Sequence, residues 1–167
     1  MFRSVSDFEF VWSAEIERTQ KILKHLNNRS LAQGVNAEGR TLGRLAWHIT
    51  TTIPEMMERT GLKIPGVDQH APVPPTAKEI FAAYNEAAIG LLDQVRKHWT
   101  DAALEVEDDM YGERWKRSAT LQALVFHQIH HRGQMTVLMR QAGLDVPGLF
   151  GPARQEWAQM GMQPPEV

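Results

Sequence analysis

The sequence predicts an all-α fold: a four-helix bundle followed by a short additional C-terminal helix. Three observations predict it. Four long segments repeat apolar residues at intervals of three and four, the period of one helix face. Side chains that cap helix N-termini stand in front of them. Strand-like alternation is scarce.

The first helix is expected from about 7 to 27, with Ser6 and Glu9 at capping-box spacing. Phe8, Val11, Trp12, Ile16, Thr19, Leu23 and Leu26 form its stripe. The second is expected over 42–60, with Thr41 as N-cap, Gly61 beyond its end, and Pro54 predicting a kink or an early stop. Residues 63–75 hold four prolines and a glycine, which predicts a loop, either a lid or a crossing segment. The third helix starts after Thr76, with Glu79 completing a capping box, and runs to about 100. Residues 101–117 read as an acidic connection with a turn at Tyr111-Gly112-Glu113. The fourth helix is expected over 119–142, between Ser118 as cap and Gly143, and a short fifth from Pro152 to about 160.

The 167 residues suit one domain, 1–167, large enough to bury a core without a metal or disulfide to hold it together. The formal net charge of −2 shows no basic excess, so nucleic acid is not an expected partner. Cysteine is absent, which excludes disulfides, thiolate metal sites and a cysteine nucleophile. No apolar run approaches the ~20 residues of a membrane span, and residues 1–7 lack the apolar core of a signal peptide. The expectation is a cytoplasmic protein with no membrane partner.

The chemistry lies in the histidines. Of seven, three fall within five residues of the fourth helix: His127, His130 and His131. With about 100° of rotation per residue, His131 falls about 40° from His127, on the same inward face as Leu124, Met135 and Leu138. His130 falls at about 300° and faces outward. Two imidazoles at i, i+4 stack one turn apart and can reach one cation. A third ligand has to come from another helix, and His48, on the shoulder of the second stripe, is the best placed. His25 and His98 lie near helix ends and His70 in the loop. The alternative on spacing alone is a set of hydrogen-bonded core histidines without a metal.

Glu15 stands in the middle of the first apolar stripe, and a buried carboxylate needs a partner. It predicts either an ion pair, to Arg44 or Arg132, or a catalytic role as general base or as acceptor for a ligating imidazole. Arg132, at about 140° on the wheel, stands on a flank, to hold a carboxylate of a substrate or of Glu15, or else as a surface charge. The acids Glu105, Glu107, Asp108 and Asp109 invite a second metal reading, but a solvated loop is the better one. The five tryptophans are expected in the core, a pocket or a dimer interface.

Leu45-Ala46-Trp47-His48-Ile49, together with His127-Gln128-Ile129-His130-His131-Arg132-Gly133-Gln134, resembles the DinB family, the DinB/YfiT-like metalloenzymes. That family places a histidine in the second helix and H-x-x-x-H-R-G-Q in the fourth. The resemblance implies up-down-down-up topology, with a long connection between helices two and three. It implies a divalent ion, nickel or zinc, on His48, His127 and His131 with positions left open for water, and frequent homodimers. Some relatives use a low-molecular-weight thiol, mycothiol or bacillithiol, to transfer or isomerise a small-molecule substrate. The expected function is a metal-dependent enzyme of thiol-dependent transferase or hydrolase type. The alternative is a non-catalytic metal-binding stress-response or interaction module.

Overall fold

The computed structural model describes residues 1–166. It is mostly helical: α1 (Val5–Lys24), α2 (Leu42–Glu58), α3 (Ala77–His98) and α4 (Arg117–Gln141), with short 3-10 helices at Ser30–Ala32, Asp101–Glu105 and Arg154–Met160. Two strands, β1 (Glu107–Met110) and β2 (Glu113–Lys116), form an antiparallel hairpin that leads into α4.

Each helix is held at its start by a named group. Ser4 Oγ accepts from the Asp7 amide and the Asp7 carboxylate accepts from the Ser4 amide, so the capping box of α1 lies two residues before the expected Ser6. Asp101 decides the register from across the molecule, because its carboxylate takes the Val5 amide at 2.8 Å. Thr41 caps α2 and Thr76 caps α3, as their spacing predicts. Ser118 is not a cap: it is buried inside α4, whose first amide, Arg117, instead donates to the Val106 carbonyl at 2.9 Å. Pro54 does not end α2, which continues to Glu58. Ile53, Met56 and Met57 are all buried there, and that burial outweighs one missing backbone hydrogen bond. The expected fifth helix is a 3-10 helix that begins at Arg154, two residues after Pro152.

The sequence reading missed the hairpin. Its strands, Glu-Asp-Asp-Met and Glu-Arg-Trp-Lys, bury only Met110 fully, so no apolar alternation betrays them. The turn at Tyr111-Gly112 is where it was expected. Both residues have positive φ, 60° and 87°, as a two-residue primed hairpin turn requires. The acids of this connection pair with bases rather than gather: Glu105 with Lys116, Asp108 with Arg117.

The core is continuous across all four long helices. α1 packs on α3 and α4, and α2 packs on α3 and α4. Glu9 meets Arg96 while Gln20 meets Asn85, so α1 and α3 run in opposite directions. Glu15 and Thr19 meet Arg132, and Met1 lies by Ser118, so α1 and α4 run the same way. His48 meets His127 and Thr60 meets Arg117, so α2 and α4 are opposed. The proline-rich segment 63–75 is pinned to the bundle. Ile64 and Val67 are buried, the Trp47 indole donates to the Ala71 carbonyl, and a Cβ on Gly90 would lie 2.4 Å from Pro65. Among the described residues no helix is long and apolar enough to cross a membrane.

Candidate metal centre

α2 and α4 cross where His48 faces His127 and His131. Gln128 locks this crossing, being fully buried and donating its amide to the Ile49 carbonyl at 2.6 Å. On α4 the i, i+4 spacing puts the His127 and His131 rings 4.4 Å apart, and the His48 ring lies 4.8 and 4.6 Å from them. His127 Nε2 is 3.1 Å from His48 Nε2 and 3.1 Å from His131 Nε2. Ligands on one cation at ~2.0–2.1 Å stand about 3.3 Å apart in tetrahedral geometry. Among the described residues, these three side chains are the one group of histidines and acids that can hold a metal ion, with a ligand atom of each within 4.8 Å of the others.

The protonation pattern favours a cation. His131 Nδ1 lies 2.7 Å from Gln134 Oε1, and Nδ1 must be the donor because a carboxamide oxygen only accepts. That leaves His131 Nε2 as a lone pair facing the cluster. His127 Nε2 therefore touches two nitrogens. If it carries a proton it donates to His131 and has only that one donor to share with His48, and if it carries a lone pair it opposes that of His131. One cation, by contrast, can accept a lone pair from each of the three rings.

The electrostatics agree. Burial, helped by the positive charge of Arg40 and by the neighbouring imidazoles, lowers His48 to a pKa of about 4. Burial, then His131, His130 and Arg40, lowers His127 to about 4. His131 is lowered too, chiefly by burial and against the Gln134 hydrogen bond. All three rings are therefore neutral near pH 7, the state that ligates a metal. The donor set, three imidazoles and no carboxylate, fits a divalent ion. His130 is exposed, as the wheel predicts, and its ring stacks edge-on against His131 at 4.8 Å.

Glu15 and Arg132 form a separate group. They are 2 % and 1 % exposed and pair with each other. Arg132 also donates to Thr19 Oγ1, and Arg18 reaches the second Glu15 oxygen at 2.6 Å. The ion-pair reading of Glu15 is the one the geometry supports, and the partner is Arg132 rather than Arg44. Arg132 is no surface charge, because α1 covers the flank on which it stands. Neither residue hydrogen-bonds to the three histidines.

Two pockets open on the histidines. One, of about 350 Å³, runs from His48 and His127 to Glu55, Tyr111 and Trp115. Tyr111 donates to Glu55 at 2.7 Å, and Arg59 holds the other Glu55 oxygen at 3.0 Å. The other, of about 440 Å³, lies beside His131 and Gln134 under Arg40 and Val35. Sequence reasoning gave no site role to Glu55, Tyr111 or Arg40, and named Gln134 only as part of the helix-four motif. Glu55 lies seven residues beyond His48 on α2 and Gln134 three beyond His131 on α4, spacings that return to the same face. Tyr111 and Arg40 arrive from connections that carry no period.

Known proteins place the chain. The curated "Uncharacterized protein YrdA" of Bacillus subtilis (strain 168) is 39% identical over 167 residues, the whole of both chains. The crystal structure of a DinB-like protein from Bacillus cereus ATCC 10987 superposes with a TM-score of 0.86 at 43% identity, covering 90% of this chain and 100% of that one. A DinB-like protein of Bacillus subtilis, YjoA, shares the fold alone, with a TM-score of 0.70 at 15% identity over 88% of this chain and 99% of its own. The model of the DinB family matches residues 1–166, and with these relatives it shows that the chain belongs to the DinB family.

Proposed function

We propose that His48, His127 and His131 bind a divalent ion, zinc or nickel, and that the protein is a metal-dependent enzyme of thiol-dependent transferase or hydrolase type. The observation that carries this reading is the convergence of three imidazoles from two helices, with one ring nitrogen of each within 4.8 Å of the others. A divalent ion at that point supplies a Lewis acid that lowers the pKa of a water or a small thiol beside it. The residues themselves do the rest. Gln134 fixes the tautomer of His131. Buried Gln128 fixes the distance between α2 and α4. Glu55 lines the pocket on the His48 side, its orientation set by Tyr111 and Arg59, and is the carboxylate there that could accept a proton. With no cysteine in the chain, any thiol in the reaction belongs to a second molecule. The ion-paired Glu15 and Arg132 position α1 against α4, and their role is structural.

The proposal includes the up-down-down-up course of the four helices, supported by the opposed and parallel contacts described above, and a homodimer in the cytoplasm. Elemental analysis of untagged protein tests the metal. A screen of small electrophiles and esters with bacillithiol, mycothiol or glutathione tests the chemistry. Turnover that disappears in His127→Ala while the helical content stays is the expected result. Protein that takes up metal but turns over nothing with any thiol or ester would instead be a non-catalytic metal-binding module. Failure to take up zinc or nickel would overturn the metal reading.

A further inference from the structure

The pocket beside His131 differs from its neighbour in a way that specifies a ligand. Its walls are largely apolar: Leu45 from α2, Val137 and Leu138 from α4, and Val35 from the connection between α1 and α2. Val35 and Val137 are 68% and 53% exposed, so this apolar surface faces solvent without a covering side chain. Its one charged lining residue is Arg40, which is exposed and joined to no carboxylate among the described residues. No acid lines the pocket, in contrast to Glu55 on the other side. At the inner end stand His131 and Gln134.

Resting on the reading of the histidines as a metal centre, we infer that this pocket is the binding subsite for a small anionic molecule with an apolar body, a carboxylate held by Arg40 and an alkyl portion laid along Val35, Leu45, Val137 and Leu138. Three features support the charge. Arg40 is the one charged residue of the lining and meets no acid there. Neutral imidazole ligands cancel none of a bound ion's charge, so an anion entering here meets attraction along its whole path. The guanidinium offers paired donors in the geometry a carboxylate accepts. A cavity of about 440 Å³ lies in the range of small-molecule sites.

The test is binding of hexanoate, hexanol and hexylamine to isotope-labelled protein, followed by amide chemical shifts, in ion-free and zinc-loaded samples. Hexanoate is expected to shift Val35, Gly39, Leu45, Val137 and Leu138 in both samples, with hexylamine the weakest of the three. Arg40→Gln, which changes an exposed side chain, should weaken hexanoate about tenfold and leave hexanol unchanged, a loss of about 1.4 kcal/mol. Arg40→Lys should recover part of it. Equal affinity for hexanoate and hexanol, unchanged hexanoate binding in Arg40→Gln, or shifts that map to another face would each overturn the subsite. The ion-free arm separates this outcome from the metal reading: protein that refuses zinc yet binds hexanoate through Arg40 loses the metal centre and keeps the anion pocket.

Discussion

At the scale of single residues, neighbouring histidines have opposite fates. His131 is buried beside His127 and His48, and His130 is exposed one position away. His48→Ala, His127→Ala and His131→Ala are each expected to abolish stoichiometric zinc binding in calorimetric titration, and His130→Ala to leave it intact. A severe loss in His130→Ala alone would mean that the α4 face is misassigned. Gln134→Leu removes the acceptor that holds the His131 tautomer. It should weaken zinc by roughly 10–100-fold with unchanged thermal stability of the ion-free protein. Glu15→Ala behaves in the opposite way. It leaves the Arg132 guanidinium buried without its carboxylate, which costs about 3–5 kcal/mol of stability in denaturant unfolding. Its zinc stoichiometry stays at the wild-type value, and a Glu15 variant that folds normally but loses zinc would return Glu15 to the centre. The wheel could place His127, His131 and Glu15 on inner faces because period alone decides that. It could not bury Arg132, because only a neighbouring helix determines whether a flank is covered.

At the scale of elements, the long helices, the 63–75 connection and the turn at Tyr111-Gly112 were legible, and the hairpin around that turn was not. Thr41 and Thr76 cap where spacing puts them because a cap needs only its own first turn. Ser4 displaces Ser6, and the Arg117 amide bonds to Val106, through partners that lie far away in sequence or just before the hairpin. The hairpin is joined to α2 by Tyr111 on Glu55 and buries one side chain, Met110, completely. Gly112 sits at φ 87°, where a side chain is strained, so Gly112→Ala should cost roughly 1–2 kcal/mol and loosen the wall of the Glu55 pocket. Gly90 makes the complementary case. A methyl there would meet Pro65 at 2.4 Å, so Gly90→Ala should destabilise by roughly 1–3 kcal/mol and raise protease cleavage within 63–75. Wild-type resistance to cleavage in that variant would show that the segment is not pinned through α3.

At the scale of the whole molecule, the two tyrosines report the tertiary structure. Burial pushes Tyr84 far above the ordinary phenol range, and burial together with the Glu55 carboxylate pushes Tyr111 up to about 12. The unfolded chain ionises near 10, so the neutral phenols stabilise the folded state below that pH. The Tyr111 contribution fades as pH rises from about 10 to about 12. Ultraviolet titration should show no phenolate step near pH 10 in folded protein and both tyrosines titrating there in denaturant. A full step near pH 10 in the native state would mean that Tyr111 does not hold Glu55. Periodicity and spacing by themselves determined that the chain is helical, where its four long helices lie, and which histidines face inward. Those are properties of one helix at a time, fixed by a rotation of about 100° per residue. Only the packed molecule decided that His48 meets His127 Nε2 at 3.1 Å, that Glu15 answers Arg132, and that Arg40 and Tyr111 stand over two different pockets. These are distances between segments up to 117 residues apart, set by how four apolar faces bury against one another.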